Sequence, residues 1–228
     1  MAYRLAMTMA NGTTAELIQT EHDCRSKMAG LPSFSTCCLM NPRCVARMLN
    51  GEAVCAHCFS CALQKIRPGL KLTTGQNFAT LNTTEIETAP KVKWTPKALR
   101  INPDRLTRIE SFGDVASVLQ AVNYIRIIKA NPDCRFGVWT KNLDLWVPAL
   151  KQEGKPENMT LVFSSLRINM PDAIPPWALP YVDHRFTVYT KEWLLAHGVK
   201  SNCAGISCAT CKRCYRKDTE FDIMEILR

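Results

Sequence analysis

The stretch LTRIESFGDVASVLQAVNYIRIIKANPDCRFGVWTK, residues 106–141, contains a strand, a helix and a second strand in close succession. The apolar run Leu106–Phe112 predicts a buried strand that a Gly-Asp pair ends. Apolar residues at helical spacing over Val115–Ala130 predict a helix that an Asn-Pro pair stops. Arg135–Thr140 predicts the next strand. Strands joined by helices in this way are typical of a parallel sheet with crossover connections.

The same pattern continues downstream. A helix is predicted over Leu143–Gln152, strands over Met159–Ser165 and His184–Thr190, and a short helix over Lys191–His197. The four predicted strands start at intervals of roughly 25 residues, which is the length of a strand-plus-helix unit. The sequence therefore predicts an α/β fold of parallel strands with crossover helices.

Patterns outside this region are weaker. Ser33–Thr36 can form an edge strand or first strand, and helices are predicted over Val45–Leu49 and Phe78–Thr88. Four prolines between residues 171 and 180 predict a long irregular connection between the last two strands.

Cysteines are concentrated in two segments, and only Cys24 and Cys134 stand alone among the twelve. The segment that we name the C-terminal cysteine group consists of Cys203, Cys208, Cys211 and Cys214. Its dense spacing favours an iron–sulfur cluster, because a structural zinc site usually takes two paired-thiol segments a dozen or more residues apart. Zinc is the alternative. A disulfide framework is the weakest interpretation, since 12 cysteines in 228 residues are fewer than disulfide scaffolds carry.

The second segment, named here the N-terminal cysteine group, has wider intervals. It consists of Cys37, Cys38, Cys44, Cys55, Cys58 and Cys61, the last three within the stretch CAHCFSC. All six are candidate metal ligands, with Cys37 and Cys38 as alternatives to each other. His57 is a further candidate ligand, and a role in the loop is its alternative interpretation.

Composition limits the compartment and the partners. The segment MAYRLAMTMANGTT lacks the apolar run of a secretory signal, and no stretch reaches eighteen apolar residues, so we expect no membrane span and a reducing cytoplasm. The formal charge of +9 raises nucleic acid as a partner. Two thiolate-bound clusters would lower that charge to about +5, and the basic residues are scattered except for Lys212, Arg213, Arg216 and Lys217.

Polar residues follow the predicted strands where the loops of a parallel sheet converge. The candidate ligand-binding residues are Glu110, Ser111, Asp114, Lys141 and Ser164. Because the carboxyl ends of parallel strands meet at one edge, we expect these side chains to bind a small molecule together. Helix capping is the alternative for Asp114. Glu110 needs a partner or a ligand, because its carboxylate follows an apolar strand.

Several motifs occur in a fixed order along most of the chain. They are LPSFSTC at residues 31–37, Cys44, Cys55-x2-Cys58-Phe59, Phe112-Gly113-Asp114, Trp139-Thr140-Lys141 and Cys208-x2-Cys211-x2-Cys214-Tyr215. This set resembles the gene product 88 family of phage and bacterial proteins. The family layout is similar to that of radical S-adenosylmethionine (SAM) proteins. The resemblance implies a partial (β/α) barrel over residues 1–202, with metal-binding loops near both ends and a C-terminal metal-binding extension over residues 203–228.

The resemblance also implies a function. It favours an enzyme with two [4Fe–4S] clusters, in which the first cluster passes an electron to SAM or to another small molecule. A small-molecule ligand or a redox partner is expected, in the host cytoplasm if the chain is phage-encoded. The usual Cys-x3-Cys-x2-Cys motif is replaced by Cys55-x2-Cys58-x2-Cys61, so a cluster with one open iron and a cluster with four protein ligands are both alternatives.

Two other functions fit the sequence. A non-catalytic protein stabilised by zinc or an iron–sulfur cluster could bind a partner, or could bind nucleic acid phosphates through the basic residues at 212–217. A simple electron or cluster carrier would need no small-molecule site. The polar residues at successive strand ends favour the ligand-binding alternative over the carrier.

Overall fold

The computed structural model describes residues 1–22, 26–50, 54–203 and 205–227. In these residues the strands are β1 (Ala2–Met9), β2 (Thr14–Glu21), β3 (Pro32–Phe34), β4 (Ile86–Thr88), β5 (Leu106–Ile109), β6 (Arg135–Thr140), β7 (Met159–Ile168), β8 (His184–Tyr189) and β9 (Asp222–Ile226). The helices are α1 (Pro42–Leu49), α2 (Phe59–Ile66), α3 (Pro68–Leu81), α4 (Pro96–Ile101), α5 (Val118–Ala130), α6 (Leu143–Glu153), α7 (Lys191–Ala196) and α8 (Cys208–Cys211).

The strands form one mixed sheet in the order β4-β1-β2-β3-β5-β6-β7-β8-β9. All pairings from β3 to β9 are parallel, and the pairings of β1 with β2, β1 with β4, and β2 with β3 are antiparallel. Helices α5 and α6 connect β5 to β6 and β6 to β7. The predicted α/β class, with a mostly parallel sheet and crossover helices, is confirmed.

Several predicted boundaries shift. The helix predicted over Phe78–Thr88 is wrong at its end, because α3 stops at Leu81 and Ile86–Thr88 is an edge strand. The side chain of Asn123 accepts a hydrogen bond from the Ile86 amide at 2.8 Å, which ties that strand to α5. The strand predicted to reach Phe112 ends at Ile109, because Glu110 takes a left-handed backbone conformation with φ 56°.

The hydrophobic core lies between the sheet and helices α5 and α6. Ile109, Val138 and Leu161 are fully buried on that face of the sheet. Tyr124 of α5 and Trp146 of α6 stack there, with ring centroids 6.3 Å apart. Such aromatic packing stabilises the crossover layer and fixes the strand ends that follow it.

The opposite face of β5 and β6 packs against the C-terminal part of the chain. Leu106 of β5 forms a small hydrophobic cluster with Leu31, Ala209 and Tyr215. Strand β9 continues this segment into the sheet as the parallel neighbour of β8. Residues 203–228, predicted as a metal-binding extension, therefore contribute a strand to the sheet.

Two further predictions concern the long connection and the lone cysteines. Between β7 and β8 the chain is irregular apart from a short 3-10 turn at Leu179–Tyr181, as the prolines predict. Cys134 is buried in the hydrophobic core, and Cys24 lies outside the described residues. Within the described ranges, no helix is long and apolar enough to cross a membrane.

Candidate functional site

The N-terminal cysteine group is assembled from three short segments. Cys37 and Cys38 follow β3, Cys44 lies in α1, and Cys55, Cys58 and Cys61 lie in the 3-10 turn Val54–His57 and at the start of α2. The Cys61 thiol is 2.8 Å from the Cys38 sulfur. Gln64, one turn further along α2, accepts hydrogen bonds from the Cys38 amide at 3.1 Å and from its thiol at 3.0 Å. Segments distant in sequence therefore bring their sulfur atoms together.

Contact among these thiols shifts their pKa values in different directions. Hydrogen bonds from Cys38 and Cys61 lower the pKa of Cys58 well below its usual value. Hydrogen bonds to Cys58 and to Cys61 raise the pKa of Cys38. Burial raises the pKa of Cys44 and of Cys55. Because thiolates are the metal-binding form of cysteine, the lowered pKa of Cys58 favours metal binding by its sulfur.

Glu110 is a buried carboxylate whose oxygens accept four hydrogen bonds. The donors are the Thr36 amide at 3.0 Å, the Thr36 hydroxyl at 2.6 Å, the Gln120 amide group at 2.8 Å and the Tyr124 hydroxyl at 2.7 Å. Burial raises the pKa of Glu110 to about 7, against the opposing effect of the hydrogen bonds from Thr36 and Tyr124. Its left-handed backbone turns the carboxylate toward α5. Glu110 therefore joins the Thr36–Cys38 segment to that helix.

Asp114 organises the carboxyl end of β6. It accepts hydrogen bonds from the Thr140 hydroxyl at 2.7 Å and from the Lys141 amide at 2.8 Å. Arg47 of α1 approaches the same carboxylate at 3.8 Å. Helix α5 is capped by Ser117, so the alternative helix-capping role of Asp114 is not the one observed. Burial raises the pKa of Asp114, while the Lys141 amide lowers it.

Lys141 and Ser164 meet at the ends of neighbouring strands. The Lys141 ammonium donates to the Ser164 hydroxyl at 2.5 Å. Lys141 and Arg47 are both close enough to the Cys55 thiol to lower its pKa against the effect of burial. Two cations and a hydroxyl therefore border the N-terminal cysteine group. This arrangement can bind an anionic group such as a carboxylate.

Ser111 lies apart from these residues. Its hydroxyl is 2.7 Å from that of Ser33 and 3.1 Å from the His22 ring. His57 is exposed on its turn. The structure thus brings together Asp114, Lys141 and Ser164. The carboxylate of Glu110 is instead held by hydrogen bonds within the protein, and the hydroxyl of Ser111 lies toward β3.

The C-terminal cysteine group surrounds one cavity of about 30 Å³. Cys203, Cys208, Cys211 and Cys214 all line this cavity, together with cationic and aromatic side chains that include Lys27, Trp139 and Lys212. Gly137 is required beside it, because a β-carbon there would lie 2.6 Å from the Trp139 ring and 2.7 Å from the Tyr215 ring. The strand face and the cysteine segment therefore pack in direct contact.

The donor chemistry of both groups fits a soft metal or an iron–sulfur cluster, since thiolates are the ligands that these prefer. Four cysteines around a single cavity, and thiols in mutual contact, fit the same conclusion. Among the described residues, no three or more histidine, cysteine, aspartate or glutamate side chains are already set around one point as metal ligands. Metal binding therefore stays a prediction.

Three residues beside the cysteine groups were not predicted from the sequence. Gln64 contacts Cys37 and Cys38, Arg47 borders Cys55, and Arg108 lies beside Cys208 and Cys214. An arginine in the middle of an apolar strand is a signal that could have identified Arg108. Gln64 and Arg47 carry no comparable signal, because polar residues are common on helices.

The fold and the site define a class: a mixed α/β protein with a mostly parallel sheet and two cysteine-rich regions packed against it. The chain belongs to the gene product 88 family, whose model, described as Gene product 88, matches residues 5–217. The family resemblance of the sequence is confirmed. A search of curated proteins and a search of solved structures each gave no match.

Proposed function

We propose that the protein is a radical-SAM-like iron–sulfur enzyme. In this proposal the sheet curves as a partial (β/α) barrel, each cysteine group holds one [4Fe–4S] cluster, and a small molecule binds at the carboxyl ends of the strands. The observation that carries the proposal is the position of Cys55. Its thiol lies close enough to Lys141, Arg47 and Asp114 for their charges to shift its pKa, which supports a proposed metal ligand beside a proposed anion-binding edge.

Each cluster has its own proposed ligands. The N-terminal cluster would be held by ligands from Cys38, Cys44, Cys55, Cys58 and Cys61, and the C-terminal cluster by Cys203, Cys208, Cys211 and Cys214. A [4Fe–4S] cluster supplies single electrons to a neighbouring molecule. The second cluster is proposed to relay electrons or to stabilise the C-terminal segment.

The protein residues then have distinct tasks. Lys141 and Ser164 bind the anionic part of the ligand, with SAM as the leading candidate through its carboxylate. Asp114 fixes the backbone of Lys141 through the 2.8 Å hydrogen bond to its amide. Glu110 fixes Thr36 and, through it, the segment that carries Cys38. The two carboxylates are saturated by protein donors, so they position the site and leave ligand contact to Lys141 and Ser164.

Metal and sulfide analysis of anaerobically purified protein is the first test. We expect about eight irons and eight sulfides per chain, an EPR signal after reduction with dithionite, and a change of that signal when SAM is added. Reduced protein incubated with SAM is expected to release 5′-deoxyadenosine. Zinc without sulfide would refute the iron–sulfur proposal, and an intact reduced cluster that never yields 5′-deoxyadenosine would refute the SAM-cleaving enzyme and leave the electron carrier and the non-catalytic binding protein.

A matched pair of cysteine variants gives the control. C58S removes the thiol whose pKa is lowest in the N-terminal cysteine group and is expected to abolish the SAM-dependent EPR change. C134S makes the same replacement at a buried cysteine outside both groups and is expected to retain it.

The nucleic-acid alternative has less support. Three of its four basic side chains already have carboxylate partners: Lys212 with Asp104, Arg213 with Glu220 and Arg216 with Asp218. An electrophoretic shift of single-stranded or duplex DNA at low salt, lost steeply as salt rises, would revive this alternative.

A further inference from the structure

Arg108 is a cation in an unusual place. It lies in β5, and its guanidinium carbon is 3.0 Å from the centroid of the Trp139 ring. Its Nε atom is buried and has no hydrogen-bond partner in the part of the chain that the structure describes. Tyr215, Cys214 and Cys208 are near enough to interact with its charge, and the residue as a whole is half-buried. The guanidinium therefore lies beside Trp139, which lines the cavity of the C-terminal cysteine group.

The cations that line the cavity of the C-terminal cysteine group are neutralised. Lys27 is paired with Glu225, Lys212 with Asp104, and Arg213 with Glu220. Over the described residues, Arg108 has no carboxylate within ion-pair distance. Of the cations that border the C-terminal cysteine group, Arg108 is thus the one whose counter-charge must come from another source.

A half-buried charge with a buried, unpaired Nε is unfavourable unless a counter-charge compensates it. Four thiolates around a [4Fe–4S] core carry a net charge of about −2, and four thiolates on zinc carry the same net charge. Either centre would give Arg108 the missing anionic partner.

We propose that Arg108 is the counter-cation of a metal–thiolate centre on Cys203, Cys208, Cys211 and Cys214. The inference rests on the proposed metal centre and holds for an iron–sulfur cluster or for zinc. Arg108 is a positioning residue, since it acts on the centre through charge and through its stack on Trp139. A planar guanidinium suits this stack better than an ammonium does.

The test compares three variants of the full-length protein. R108M removes the charge, R108K keeps the charge without the planar group, and K212M removes a charge at the same cavity that Asp104 already neutralises. Metal content is measured after purification, and metal release is followed during incubation with a chelator. We expect R108M to weaken metal retention about 10- to 100-fold, R108K to weaken it less, and K212M to leave it unchanged.

A second measurement applies if the metal is iron. Loss of a neighbouring cation disfavours uptake of an electron, so the midpoint potential of the C-terminal cluster is expected to become more negative in R108M and to stay near the wild-type value in K212M. This readout separates an electrostatic role from simple support of the fold.

The possible outcomes separate the two proposals. Wild-type protein that holds no metal on the C-terminal cysteine group refutes the metal centre and the role of Arg108 with it. Wild-type protein that holds metal, with R108M retaining it as well as K212M does, refutes the role of Arg108 alone. Equal losses in R108K and R108M would assign Arg108 a packing role and overturn the electrostatic one. If R108M does not fold, near-normal retention in R108K supports the proposal and loss in R108K overturns it.

Discussion

The two cysteine groups differ in the net charge of the side chains around them. Beside the N-terminal group, the carboxylates of Glu110 and Asp114 are balanced by the cations Arg47 and Lys141. Beside the C-terminal group, and within the part of the chain that the structure describes, Lys27, Lys212 and Arg213 each have a carboxylate partner and Arg108 remains in excess. One group has a neutral environment, and the other has a positive one.

This difference in charge predicts a division of roles between the two proposed metal centres. An anionic cluster is stabilised by positive surroundings, and its reduced form is stabilised more, because that form carries one more negative charge. The C-terminal centre is therefore expected to be the more stable and the easier to reduce. The proposed N-terminal centre, with a lower expected potential and an adjacent proposed anion-binding edge, would be suited to reduce a bound molecule.

The largest expected effect comes from cysteine replacement. C214S removes a proposed ligand of the C-terminal centre and leaves the half-buried Arg108 without its proposed counter-charge, so we expect the free energy of unfolding to fall by about 3 kcal/mol, the lower end of the range for a broken buried ion pair. C58S leaves no unpaired buried cation and is expected to cost less. Urea unfolding, together with iron content, checks this order against C134S. Equal losses in C58S and C214S would contradict the division.

Glu110 supports the N-terminal group through hydrogen bonds rather than through packing. E110Q replaces one of the two carboxylate oxygens by an NH2 group, so part of the four-donor set then faces a donor instead of an acceptor, and we expect a loss of about 2 kcal/mol in urea unfolding. The pKa of Glu110 is raised by burial to about 7 from an ordinary value of 4.5. The folded wild type therefore binds the proton more tightly than the unfolded chain, and its stability falls as pH rises from about 4.5 to 7.

The E110Q variant lacks this titration. Because wild type and E110Q share the same proposed metal sites, any pH dependence of those sites cancels in the stability difference between the two proteins. The stability difference between wild type and E110Q is expected to narrow as pH rises and to become constant above about pH 7. A difference that widens over that range would show that hydrogen bonding, and not burial, dominates at Glu110.

The parallel half of the fold could be predicted, because its strands are continuous apolar runs that Gly, Pro and Asn punctuate. The predicted strand at Arg135–Thr140 coincides with β6, and that at Met159–Ser165 falls within β7. The antiparallel pair β1 and β2 was missed, although residues of β1 alternate between more and less exposed along the strand, because both strands are partly exposed and lie outside the region of continuous apolar runs. β9 was missed because it is short and four of its five residues are exposed or half-buried.

The candidate site was predictable only where it depends on topology. Asp114, Lys141 and Ser164 come together because the carboxyl ends of parallel strands meet. Glu110 departs from that expectation because its positive φ breaks the alternation of the strand. A glutamate in the sequence does not predict a positive φ. Arg108 meets cysteines that are about a hundred residues away in sequence, so local pattern could not reveal its partners.

Two glycines offer a smaller and more selective perturbation. In G113A the new β-carbon would lie 2.6 Å from the Thr36 carbonyl oxygen, beside the N-terminal group, and in G137A it would lie 2.6 Å from the Trp139 ring, beside the C-terminal group. We expect each to cost about 1–3 kcal/mol. Metal analysis is expected to show loss from the adjacent group alone. Loss of both centres in either variant would mean that the two groups are coupled.

Replacement of Lys141 is expected to have the smallest effect on stability and the largest effect on the proposed function. K141M removes an ammonium whose one side-chain hydrogen bond is to Ser164, so the free energy of unfolding should change by less than about 0.5 kcal/mol. The SAM-dependent change in the EPR signal should weaken about tenfold or more, because a charged hydrogen bond to the ligand is lost. K151M, at an exposed lysine of α6, is the control and should alter neither property. If the EPR signal of K141M responds to SAM as that of K151M does, Lys141 does not bind the ligand, and the charges around the N-terminal group only support the fold. The two cysteine groups would then differ in their stability and not in ligand binding.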